Sequence, residues 1–283
     1  MKGPTQIPDA LHFTHEAMNT TFGLWFRGVD PGDAPGIARE CYEKIDLLES
    51  RLSRFIDTSE ISRINRLSAG ETLYLSQECH ECLLLGLEAH ALSCGLFDIT
   101  LGTRIQHLKS GDGNALPPLT GRWIIHPDVP AVTCVDPGRE LDLGGIGKGF
   151  ALDQLRNLLL EWGVDDALLA AGASSLLAHG PSTWPVELAG SNQSQPINLT
   201  GQALSASGTV IQGSHIVHPA GQDAMPDCSP TRVWVTAATA AMAEIWSTTL
   251  MLLSPEEIPG FIAENPELTS VHFEYDGRLE KIR

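Results

Sequence analysis

The run Asp142-Leu143-Gly144-Gly145-Ile146-Gly147-Lys148-Gly149 lies between a strand-like segment, Glu140 to Leu143, and a helix-like one that runs to about Trp162. Four of the six residues from Gly144 to Gly149 are glycine. Such a run leaves backbone N–H groups uncovered just before a helix N-terminus, which is how backbone cradles a phosphate. It is neither GxxxxGK[ST] nor GxGxxG. The bland alternative is a tight turn that needs positive φ.

Downstream, apolar runs and turn residues predict strands at Ala167 to Ala171, Leu176 to Ala178, Trp184 to Leu188, Ala203 to Ser205, His215 to Val217 and Arg232 to Ala237. Helices are expected at Ala240 to Leu253 and Pro255 to Glu264, and a last strand at Ser270 to Tyr275. Upstream, Leu11 to Arg27 reads as a strand or hairpin, and Gly36 to Leu52 as a helix with Ile37, Cys41, Ile45 and Leu48 on one face. Ser59 to Asn65 reads as a short helix, and Ser76 to Ser93 as a longer one capped by Ser76. Gly111 to Pro118 is a loop, followed by strands at Trp123 to Ile125 and Val132 to Val135. Interspersed helices and strands joined by short turns imply α+β architecture with mainly antiparallel sheet and packed helices. No repeat and no linker is visible, so residues 1–283 are expected to form one domain, with residues 1–11 as a flexible N-terminal segment.

The chain of 283 residues is 42 % apolar and 19 % charged, a globular composition. Its 35 acidic residues against 18 basic ones give a net charge of −17, which disfavours nucleic acid and anionic membranes as partners. An anionic substrate would need a local offset, such as a metal ion or a helix N-terminus. No apolar run is long enough for a transmembrane segment. Met1 to Leu11 does not look like a signal peptide, so a cytoplasmic location is expected, or a periplasmic one if a leader has been trimmed. Cys79 and Cys82 have C-x-x-C spacing, but a zinc knuckle needs a second pair and none exists, so the cysteines read as free thiols.

Two further segments carry chemistry. Glu244 and Thr248 are four residues apart on a predicted helix, so their oxygens share a face. A carboxylate and a hydroxyl are hard ligands of the kind Mg²⁺ prefers; the alternative is a solvated helix face. His215 ends a predicted strand, where it could serve as a general base or simply as a hydrogen-bonding residue.

In this order, the segments resemble the FAD:protein FMN transferase (ApbE) family. The resemblance runs from Ala17 to Leu253 and rests on Met18-Asn-Thr20, Leu52-Ser-Arg-Phe55 with Ser59 to Asn65, Phe97-Asp-Ile-Thr100, the glycine run through Ala151 with Asp153, Ala171-Gly172, Ser205 to Gly208, His215-Ile216 with Pro219, and Ala243-Glu244 through Thr248. It implies an α+β fold with FAD between two halves of the chain. It further implies that Met18, Phe55, Leu96, Phe97, Asp98, Gly144, Phe150 and Ile216 bind the cofactor, that Gly147 (through its carbonyl), Glu244 and Thr248 hold Mg²⁺ with Ser247 as an extra ligand, and that His215 is the base. FAD would be the substrate. Its FMN part would pass to a threonine or serine hydroxyl of an acceptor flavoprotein domain, releasing AMP. With water as acceptor, the same site would be an FAD pyrophosphatase giving FMN and AMP. A third reading is a catalytically degenerate FAD-binding protein.

The sequence departs from the family pattern in three places. Glu244 stands where the metal-ligand Asp is usual, Gly147 where Ala is usual, and His218 where an Asp precedes Pro219. The stretch from Thr103 to Glu140 is also short. Acceptors of this family carry a short Asp/Ser/Thr/Gly-rich motif, and this chain has no convincing copy, so self-flavinylation is not expected. A monomer or a homodimer fits equally.

Overall fold

The computed structural model describes residues 7, 9–110, 116–208 and 216–283. The expectations for residues 1–6 and 8, for most of the Gly111 to Pro118 loop and for His215 therefore lie outside the described residues. The chain folds as two compact units: Met1–Asp46, Lys148–Ile211 and Pro226–Arg283 form the first, Leu47–Gly147 and Gln212–Met225 the second.

In chain order the elements begin with β1 (Leu11–Ala17), β2 (Thr20–Phe26), α1 (Ala34–Leu52), α2 (Glu60–Ile64), β3 (Thr72–Tyr74), α3 (Gln77–Leu92), α4 (Gly102–Ser110), β4 (Arg122–Ile125) and β5 (Ala131–Asp136). They continue with α5 (Gly147–Glu161), β6 (Ala167–Ala171), β7 (Ser175–His179), β8 (Trp184–Ala189), β9 (Ser194–Leu199), β10 (Ala203–Gly208) and a short 3₁₀ turn at Gln222–Ala224. Last come β11 (Arg232–Ala237), α6 (Ala240–Leu250), α7 (Ile258–Glu264), β12 (Ser270–Tyr275) and β13 (Arg278–Lys281).

The first unit is built on an eight-stranded sheet of order β1-β2-β6-β7-β10-β11-β12-β13, with every neighbour antiparallel. The central strands β6 and β11 are buried along their whole length, because both faces of the sheet are covered. Alternation sorts their side chains. Trp25, Leu168, Ala170, Leu176, Leu204 and Trp234 face one core together with Trp184, Val186, Leu188 and Leu199 of the β8–β9 hairpin. Ser205 and Ser207 alternate with Leu204 and so point to the opposite face, where α6 lies. The pairing of Ser205 with Ser175 places both serines on that face.

The second unit carries the three-stranded antiparallel sheet β3-β5-β4 and helices α2, α3 and α4. Ser59 and Ser76 cap α2 and α3, each accepting from the backbone N–H three residues on. Arg54 ties the unit's loops: it donates to the Gly102 carbonyl at 2.8 Å and pairs with Glu140 and Asp142 at 2.8 Å and 3.0 Å.

The α+β, mainly antiparallel expectation is met. Two expected strands are not formed: Glu140 to Leu143 contributes only an isolated bridge between Glu140 and Leu101, and residues 216 and 217 lie outside any strand. Four elements carry no clear signal in the sequence. They are the three-residue β3, the polar α4, the Pro196-containing β9 and the charged β13.

Candidate active site

The glycine run folds as a short loop that turns into α5 at Gly147. Asp142 Oδ1 accepts the Gly144 N–H at 2.8 Å while Oδ2 pairs with Arg54, so this aspartate shapes the loop. The Ile146 and Gly147 N–H groups both donate to the Leu143 carbonyl, at 3.1 Å and 2.7 Å. None of the four glycines has positive φ, which removes the tight-turn explanation. Close approach explains two of them. A Cβ on Gly149 would lie 2.5 Å from the Ala240 carbonyl carbon, and one on Gly144 would lie 2.9 Å from Asp142 Oδ1. At Gly147 a Cβ would touch only Leu143, at 4.0 Å, so the alanine usual in the family would fit there.

Helix α6 is held at its start by three acceptors. Asp153 of α5 takes the Ala240 and Ala241 N–H groups, one on each carboxylate oxygen and both at 2.9 Å, and Thr239 Oγ1 takes that of Met242 at 3.3 Å. The first-turn donors, which a helix leaves unsatisfied, are thereby paired. Burial pushes the Asp153 carboxyl above its ordinary value; the bonds from Ala241 and Ala240 and nearby Arg156 pull it back, and Glu244 adds to the rise.

One turn further on, Glu244 is 4 % exposed. Ser175 donates to Glu244 Oε1, and Lys148 Nζ lies 3.2 Å from the same oxygen. Oε2 is buried with no hydrogen-bond partner among the described residues. The same helix carries part of a hydroxyl cluster. Ser207 Oγ is 2.8 Å from Ser247 Oγ and 3.2 Å from Thr248 Oγ1; Ser247 Oγ donates to the Glu244 carbonyl at 3.0 Å and lies 3.3 Å from Ser205 Oγ. Glu244 and Thr248 thus share one face of α6, as their spacing predicts. Ser247 is fully buried and engaged in this network. Lys148, Asp153, Ser175 and Ser207 join the site without having been assigned a part in it from the sequence.

Among the described residues, no group of three or more His, Cys, Asp or Glu side chains could hold a metal ion. A cation here would rest on one carboxylate and on hydroxyl and carbonyl oxygens. Mg²⁺ tolerates such a set, because it keeps waters and takes substrate phosphate oxygens. Glu244 Oε2, buried and without a hydrogen-bond partner among the described residues, is the observation that fits it.

Of the residues expected to contact the cofactor, two lie in the first unit. Met18 is the first of two residues in the β1–β2 turn; it and Asn19 have φ of 50° and 56°, as a two-residue hairpin loop demands. A long side chain with Cβ in that region costs roughly 1–2 kcal/mol, so the methionine is not there for the turn alone. Phe150, on α5, is buried.

The others lie in the second unit. Phe55 is 72 % exposed, with the Arg54 guanidinium carbon 5.6 Å from its ring centre. Leu96 is half-buried and Phe97 buried. Asp98 Oδ1 accepts the Thr100 N–H and hydroxyl, both at 2.7 Å, and Oδ2 lies 3.5 Å from Arg139. Those bonds shape the Phe97-Asp-Ile-Thr100 turn. Gly144 is exposed and Ile216 buried. His218 Nδ1 accepts the Ala220 N–H at 3.1 Å, the bond an aspartate makes two residues ahead of itself, so histidine can replace the family's Asp in shaping this turn. Arg104 holds the same turn by donating to the Pro219 carbonyl at 2.8 Å.

The family model for the ApbE family matches residues 18–272. An FAD:protein FMN transferase of Klebsiella pneumoniae (strain 342) is 24 % identical over 289 residues, covering 86 % of this chain and 80 % of its own length. One from Chlamydia muridarum (strain MoPn / Nigg) is 30 % identical over 196 residues, covering 61 % of this chain and 58 % of its own. Among solved structures, the apo form of Pseudomonas stutzeri flavinyl transferase ApbE superposes with a TM-score of 0.81 at 24 % identity, covering 96 % of this chain and 95 % of that one. The flavin transferase ApbE from Vibrio cholerae superposes with a TM-score of 0.79 at 18 % identity, covering 96 % of each. These two likenesses bear on the fold.

Proposed function

We propose that this chain, which belongs to the ApbE family, is an FAD:protein FMN transferase that moves FMN from FAD to a threonine or serine hydroxyl of a partner protein and releases AMP. The observation that carries the proposal is the buried Glu244 carboxylate, one oxygen of which has no hydrogen-bond partner among the described residues, on the same helix as Ser247 and Thr248, whose hydroxyls meet that of Ser207. Burying a carboxylate costs several kcal/mol unless charge and hydrogen bonds compensate; Lys148 and Ser175 do so at Oε1 alone, which leaves Oε2 as the oxygen for a divalent cation. Glu244 and Thr248, with Ser247 as a further oxygen, would hold Mg²⁺, and the family resemblance assigns the Gly147 carbonyl to the same ion. When bound, the ion would supply charge neutralisation for the pyrophosphate and for the departing AMP.

The chain's own residues do the rest. Asp153 fixes the start of α6 and so sets where Glu244 and Thr248 stand. The Gly144, Ile146 and Gly147 N–H groups are taken by Asp142 and Leu143, so what is left to favour a phosphate is the N-terminus of α5 itself. Met18, Phe55, Leu96, Phe97, Asp98, Phe150 and Ile216 are assigned to FAD through the family resemblance. His215 is assigned by the same resemblance to take the proton from the attacking hydroxyl, which then bonds to the FMN phosphorus as the bond to AMP breaks.

The test is incubation with FAD and Mg²⁺, with and without a flavin-acceptor domain, followed by chromatography and in-gel flavin fluorescence. A fluorescent acceptor with one AMP released per flavin attached supports transfer. Free FMN and AMP in equal amounts, with a dark acceptor, would make the chain a pyrophosphatase. Intact FAD that stays with the protein would make it a flavin-binding protein without turnover.

A further inference from the structure

We infer that Lys148 is the resident counter-ion of the metal-free site: its ammonium neutralises Glu244 until a divalent cation takes over, so it competes with that cation for the carboxylate. The inference rests on the reading of Glu244 as a cation ligand. Glu244 is 4 % exposed, and burying a carboxylate is costly unless an opposite charge and hydrogen bonds compensate. Among the described residues, Lys148 is the cation that meets it, with Nζ 3.2 Å from Oε1. Ser175 donates to the same oxygen but brings no charge. Arg156, the nearby guanidinium, lies against Asp153 at 4.0 Å instead.

The two ends of the pair differ in freedom. The Glu244 side chain is 5 % exposed and is fixed by Ser175 and by the helix it sits on, whereas that of Lys148 is 23 % exposed. Lysine carries a point charge on a flexible four-carbon stem, so it can withdraw toward solvent without moving the backbone. An arginine fork would be harder to dislodge. A divalent ion on Glu244 would place two cations on one carboxylate, and their repulsion weakens whichever binds second. Lys148 therefore holds the metal-free protein together and sets the cation concentration at which the site fills.

The test uses the full chain and MgCl₂ alone, without flavin. Mg²⁺ affinity is measured by calorimetry and melting temperature is followed with and without Mg²⁺, for wild type, Lys148→Met, Lys148→Arg and Glu244→Gln. Lys148→Met is expected to melt lower than wild type without metal, to bind Mg²⁺ roughly tenfold more tightly, and to regain more stability from it. Lys148→Arg keeps the charge and is expected to bind within about threefold of wild type, which also covers the case in which Lys148→Met is too unstable to titrate. Equal or weaker Mg²⁺ binding by Lys148→Met, or a roughly tenfold tightening in Lys148→Arg, would overturn the inference while leaving the site intact, provided Glu244→Gln still abolishes binding. If wild type binds no Mg²⁺, or Glu244→Gln binds it as well as wild type, the reading of the site falls and the inference falls with it.

Discussion

The backbone N–H of Ala240 donates to Asp153 Oδ1 at 2.9 Å, so the helix that carries Glu244 is tied at its first residue to the helix that carries Lys148. The Ala241 N–H takes the other oxygen at the same distance. Four residues before Asp153, Gly149 lets α5 pack directly on the Ala240 carbonyl. The two helices meet through backbone as well as side chains, and this sets where the ion pair between Lys148 and Glu244 sits.

The folded-state pKa of Asp153 lies above the ordinary carboxylate value, chiefly because the group is buried. A raised value means that the native state holds the proton more firmly than the unfolded chain. The stability that Asp153 contributes is therefore fully present below its unfolded-state pKa and is lost as pH rises through the folded-state pKa. Asp153→Asn, which removes the titration and costs the cap about 1 kcal/mol, should fall further below wild type at acid pH than at neutral pH. Urea midpoints of both proteins across that range measure it; a gap that stays constant or widens as pH rises would contradict the shift.

Gly149→Ala should destabilise the chain by about 1–3 kcal/mol, since neither the Ala240 carbonyl nor α6 can give way without moving Glu244. Gly147→Ala should leave the melting temperature nearly unchanged, because its Cβ meets nothing closer than 4.0 Å. Equal effects of the two substitutions would mean that the helices do not meet at Gly149.

Thiol alkylation of the folded protein at neutral pH should label Cys94 and Cys228, which are exposed, and spare the four buried cysteines. Burial and nearby Glu40 push the Cys41 thiol up to about 12. Burial and Glu60 push that of Cys79 up as well. Mass spectrometry counts the adducts; rapid labelling of Cys79 or Cys82 would instead point to a reactive C-x-x-C pair.

Much of the fold is legible in the sequence because its signals are local. The apolar run of β6, the caps at Ser59 and Ser76, and the apolar α6 announce themselves within a few residues. Helix α4 does not, since Gly102 is its one fully buried residue and no apolar face repeats along it. The site divides in the same way. Glu244 and Thr248 are visible as an i, i+4 pair on one helix. Ser175 and Ser207 reach that pair only through strand register, Ser175 opposite Ser205 on the neighbouring strand, across about thirty residues of chain that no local pattern encodes. Lys148 and Asp153 stand inside a quoted motif, yet their partners lie almost a hundred residues away.

The measurement that bears most directly on the site is the rate of acceptor flavinylation by wild type and Glu244→Gln across a Mg²⁺ titration, with circular dichroism to establish that both are folded. The variant keeps the shape and loses the charge. It is expected to be slower by on the order of a hundredfold and to show little response to Mg²⁺. A Glu244→Gln protein that transfers flavin at the wild-type rate, with the same Mg²⁺ midpoint, would remove Glu244 from the metal site.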